Sequence, residues 1–80
     1  MMIVDLIDEV DFKEKMLGVG APVKDCQTLE EVIGSLNLWI NDAPQNLSVI
    51  QSACIELEAT GATILPDVHI VIKDLLALER

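Results

Sequence analysis

The chain has 80 residues and a mass of 8.8 kDa, with 51% hydrophobic and 24% charged positions. That is one domain's length and too apolar for an intrinsically disordered segment, so a single folded helical domain over residues 1–80 is expected. Fourteen acids against five bases give a net charge of -9, and no Lys or Arg occurs between Lys24 and Lys73. This argues against direct nucleic-acid binding and against docking on an anionic membrane, since both draw affinity from Lys and Arg.

At the amino terminus, Ile3, Leu6, Ile7, Val10 and Leu17 recur at helical spacing, with Asp5, Asp8, Glu9 and Asp11 between them. The pattern predicts a first helix over about 2–17, with the four acids on its solvated face. A second, capped start at Asp11 and Glu14 is the alternative within it, and Gly18 and Gly20 mark its stop. The acid in Met1-Met2-Ile3-Val4-Asp5 stands where a secretory signal would be basic, and no run of about 18 apolar residues occurs. A cytoplasmic location is therefore the expectation.

Thr28-Leu29-Glu30-Glu31 has capping-box spacing and opens a second helix over about 28–41, with Leu29, Val32, Ile33, Leu36 and Ile40 facing inward. Asp42 with Gln45 has the spacing to cap a third helix, over about 43–60, with Pro44 in its first turn. Leu47, Ile50, Cys54 and Leu57 form its stripe, and Gly61 closes it. In the last segment Ala62-Thr63-Ile64-Leu65 can extend as a strand. Val68, Val71, Ile72, Leu75, Leu76 and Leu78 nevertheless recur as in a helix over about 67–79, with Asp67 as its cap. The fold class expected is all-α, a small bundle of three to four helices.

The residues offer little chemistry. Asp67 and His69, two apart on a helix, do not face each other, so no base with its orienting acid is encoded locally. Cys26 and Cys54 show no C-x-x-C spacing and make at most one disulfide. Cys54 falls on an apolar stripe, and Cys26 reads as a bystander thiol in a connecting loop from Ala21 to Gln27, where the adjoining Asp25 favours the neutral thiol. No metal site, cofactor or enzymatic activity is expected.

Leu17-Gly18-Val19, Ile64-Leu65-Pro66-Asp67 and Val71-Ile72-Lys73-Asp74-Leu75-Leu76 resemble stretches of acyl carrier proteins, which are also small, acidic and four-helical. That family carries its phosphopantetheine arm on the Ser of an Asp-Ser-Leu motif, which this chain lacks. Ser35 stands in Gly34-Ser35-Leu36 and Ser48 follows Asn46-Leu47. The resemblance implies a carrier modified on Ser35 or Ser48 as the alternative function.

The main functional reading rests on surplus hydrophobicity. At about 100° per residue, Leu38, Ile55 and Ile70 each point roughly 140° from the centre of their helix's core stripe, and Trp39 lies at the edge of its own. A bundle of this size buries only about 60 to 65% of its unfolded surface, so it cannot hide all of these internally. Leu38, Trp39, Ile55 and Ile70 are thus expected to bind a protein partner or further copies of the chain in a homo-oligomer. Asp5, Asp8, Glu9 and Asp11 are expected to steer the approach to a basic surface, in the manner of a nucleic-acid mimic. The profile fits a small bacterial or phage-encoded inhibitor or adaptor.

Overall fold

The computed structural model describes residues 6–78. Its elements are β1 (Leu6–Ile7), α1 (Glu9–Gly18), α2 (Leu29–Asp42), α3 (Asn46–Ala59), β2 (Thr63–Ile64) and α4 (Pro66–Ala77). The described residues form an all-α bundle of four helices, with β1 and β2 paired in parallel, Leu6 opposite Thr63 and Ile7 opposite Ile64. Such a short parallel ladder is marginal alone. It is held because Leu65 N–H donates to Ile7 O at 3.1 Å and Ile7 is buried in the helical core.

The strand corrects the first predicted helix. Asp8 is the N-cap of α1, accepting from Val10 N and Asp11 N, both at 3.0 Å, while Asp11 Oδ2 accepts from Asp8 N at 3.2 Å. This reciprocal capping box starts the helix at Glu9, and Leu6 and Ile7 before it are extended. The phase of the apolar stripe changes with the start. Phe12 and Met16 are the buried residues of α1, whereas Val10 and Leu17 are exposed. Ile3 and the rest of the predicted first turn lie outside the described residues.

A Schellman motif ends α1. Gly20, at φ +97°, donates to Leu17 O at 3.0 Å, and Ala21 N–H returns to Met16 O at 3.0 Å. Only a residue without Cβ takes that φ cheaply. The loop that follows is part of the core, because Ala21, Val23 and Cys26 are buried. Lys13 Nζ donates to Cys26 O at 2.6 Å, pinning the loop to α1.

In α2 the Thr28 hydroxyl accepts from Glu31 N at 3.1 Å, as expected of a cap. The returning bond differs: Glu31 Oε1 accepts from Gln27 N at 2.8 Å, one residue beyond the N-cap. Val32 and Leu36 are fully inside, and Leu29, Ile33, Trp39 and Ile40 pack on the core from its margin. The expected Asp42 and Gln45 cap does not form. Asp42 is the last residue of α2, and Gln45 precedes α3 without a side-chain bond. Asn46 N–H donates to Ala43 O and Leu47 N–H to Pro44 O, so a tight turn satisfies these amides instead. Pro44 therefore lies in that turn, before the helix.

The stripe of α3 is Leu47, Ile50, Ala53, Cys54 and Leu57, all buried, and Gly61 at φ +79° closes it. In α4, Pro66 occupies the first turn and Leu65 the cap position, so Asp67 is a first-turn acid and not the cap. Val68, Val71, Ile72 and Leu75 are buried, Leu76 partly so, while Leu78 is exposed, contrary to its place on the predicted stripe. Cys26 and Cys54 are both free thiols. Helix α1 packs against α2, α3 and α4, yet no helix is buried all round: Val10 on α1, Leu38 on α2, Ile55 on α3 and Ile70 on α4 each face outward.

Candidate interaction surface

Leu38 is 71% exposed, Ile55 56% and Ile70 61%. They sit on three different helices, α2, α3 and α4. Leu38 and Trp39 share an open groove of about 460 Å³ lined by Pro22, Ser35, Leu38, Trp39 and Asp42. It forms because Leu38 and Asp42, one turn apart on α2, flank a Trp39 ring that is only half covered by the core.

The predicted acidic face divides. Asp5 lies outside the described residues. Asp8 precedes the helix, and its carboxylate is held below the ordinary value of 3.8, chiefly by the backbone N–H of Asp11, with Val10 N–H and the Asp11 side chain adding to it. Asp8 and Asp11 are therefore joined in the capping box, and Glu9, exposed in the first turn, carries no such duty.

What the sequence reading missed is where these acids stand. A cleft of about 310 Å³ between α1 and the start of α2 is lined by Glu9, Val10, Lys13, Cys26, Gln27, Thr28, Leu29 and Val32. A second, of about 270 Å³, lies between the starts of α1 and α4 and is lined by Asp8, Glu9, Val10, Leu65, Asp67 and Val68. Glu9 and Val10 belong to both, so Val10, 54% exposed, is a ridge between two partly apolar clefts. Its place on the supposed core stripe of α1 concealed it. The clefts also show that three helix N-termini converge at this end of the bundle.

The chemistry-bearing side chains remain scattered. His69 is exposed and lines a shallow groove with Glu58, Ala62 and Ile64. Ser35 is half-buried on α2 with its Oγ 3.2 Å from Cys26 Sγ in the preceding loop, whereas Ser48 is exposed in the first turn of α3. Burial, with a smaller contribution from Glu58, pushes the Cys54 thiol from 9.0 up to about 12. Among the described residues no group of three His, Cys, Asp or Glu side chains is placed to hold a metal ion, and no helix is long and apolar enough to cross a membrane. Comparison of the chain with models of protein families, with curated proteins and with solved structures finds no match in any of the three.

Proposed function

We propose that the domain is a small acidic protein-binding module, without chemistry of its own, acting in the cytoplasm as an inhibitor or adaptor. The observation that carries this reading is the exposure of Leu38, Ile55 and Ile70, one large aliphatic on each of three helices whose opposite faces already fill the core. Scattered exposed aliphatics are ordinary on any surface. Here Leu38 adjoins the half-covered ring of Trp39, and Trp is among the residues that most often anchor interfaces. Covering these faces, by a partner or by further copies in a homo-oligomer, removes apolar area from water at about 25 cal/mol per Å².

Photo-crosslinking groups introduced singly at Leu38, Ile55 and Ile70 test it. Protein adducts should form from these positions in the native cell and be absent from a probe at the exposed polar Asn37. Probes that yield no adduct anywhere would end the binding-module reading. Sedimentation of the purified chain then separates a homo-oligomer from a foreign partner. Intact mass tests the carrier alternative through Ser48, the more exposed of the two serines: a phosphopantetheine increment would replace the module reading.

A further inference from the structure

Six carboxylates, Asp8, Glu9, Asp11, Glu30, Glu31 and Asp67, stand at the caps or in the first turns of α1, α2 and α4. The three N-termini meet around the two clefts that share Glu9 and Val10. Each helix end contributes about half a positive charge, which the acids exceed several-fold. The base that lines a cleft, Lys13, donates to Cys26 O and keeps its charge, one cation against six carboxylates. This end is thus strongly negative around apolar floors of Leu29 and Val32 in one cleft and Leu65 and Val68 in the other, with Val10 as the ridge between them.

Resting on the reading of the domain as a protein-binding module, we propose that this end is a docking site for a cationic amphipathic peptide segment. Two apolar side chains of the segment occupy the clefts on either side of Val10, and flanking Lys or Arg side chains meet Glu9 and Asp67. A second copy of the chain is the poorer occupant, because each brings a net charge of -9 and sets acid against acid at this face. A nucleic acid is repelled for the same reason. Among the described residues Glu9 and Asp67 are exposed and accept no hydrogen bond, whereas Asp8 and Asp11 are joined in the capping box and Glu31 accepts from Gln27.

The test is an NMR titration of the isotopically labelled full chain with a synthetic amphipathic peptide of Lys and Leu. A Lys and Ser peptide of equal length and charge is the control. The Lys and Leu peptide should shift amides in residues 8–13, 26–32 and 65–68, and bind at least tenfold more tightly than the control. Val10→Ser, and separately the pair Glu9→Gln and Asp67→Asn, should each weaken it at least fivefold, with the helical spectrum unchanged because all three side chains are exposed. Equal binding of the two peptides, or no binding of either, overturns the proposal. So does a wild-type dimer in sedimentation that Val10→Asp disperses, since a second copy would then be the occupant. Shifts centred on Leu38, Ile55 and Ile70 overturn this site while leaving the module reading standing, which fails instead on the crosslinking experiment.

Discussion

Gln51 on α3 caps the end of α4: its Nε2 donates to Leu75 O at 2.9 Å and to Leu78 O at 3.1 Å. Helix α4 has no basic residue in its last turn, and Leu78 rather than glycine follows it, so a side chain borrowed from its neighbour supplements the backbone bond from Leu78 N–H to Leu75 O at 3.3 Å. Gln51→Leu should destabilise the fold by about 0.5 to 1.5 kcal/mol, the net worth of an ordinary hydrogen bond. Gln51→Glu should be worse near neutral pH, because a carboxylate then faces carbonyl oxygens at the negative helix end, and should recover in acid as it protonates. Urea unfolding at two pH values checks this, and equal losses at neutral pH would count against the cap.

The two readings of α1 are separable by stability. Phe12 is fully buried and is the chain's one phenylalanine, so Phe12→Ala should cost about 3 to 5 kcal/mol, a large share of what a domain of this size possesses. On the stripe that the spacing alone suggested, Val10→Ser should fall within about 0.5 kcal/mol of wild type and Leu17→Ser, only 37% exposed, should cost about 1 kcal/mol. Thermal or urea unfolding of the three variants decides, and comparable losses in all three would restore the original phase.

That contrast shows where the sequence was readable. Helices α2, α3 and α4 follow from their stripes, and Thr28 and Gly61 punctuate α2 and α3 by local chemistry that needs no tertiary partner, whereas the spacing misplaces the start of α4 at Asp67. The same phase angles placed Leu38, Ile55 and Ile70 outward. The start of α1 failed because Leu6 and Ile7 happen to fit a helical spacing, whereas their pairing with Thr63 and Ile64 is set from the far end of the chain. A strand of two residues has no period of its own to announce it. The error carried forward, since counting Val10 as core hid the ridge between the two clefts. That the starts of α1, α2 and α4 meet is a tertiary fact no local pattern encodes.

Asp8 makes stability depend on acid pH. Its folded-state pKa lies below the ordinary 3.8, so the unfolded state binds the proton more tightly. The contribution is present above about pH 4 and is lost as pH falls through the lower, folded value. Asp8→Ala should therefore be less stable than wild type at neutral pH, and the two should converge as pH drops below 3.8. A difference that stays constant down to strongly acid conditions would show that the capping carboxylate is not the source.

Cys54 sets the opposite limb. Its thiol is pushed up from 9.0 to about 12 in the fold, so above pH 9 the unfolded chain ionises this group while the folded chain does not. The thiolate favours unfolding, and stability should decline as pH rises from 9 toward 12. Cys54→Ala should flatten that decline while creating a small cavity among Ile50, Ala53, Leu57 and their neighbours. Cys54→Ser should be the less stable of the two variants at neutral pH, by about 1 to 3 kcal/mol where the buried hydroxyl finds no partner. In the wild-type protein, thiol reagents at pH 8 should modify Cys54 only at the rate of unfolding, because a buried neutral thiol is a poor nucleophile. Rapid labelling of Cys54 in the native state, located by peptide mass mapping, would contradict both its burial and its raised pKa.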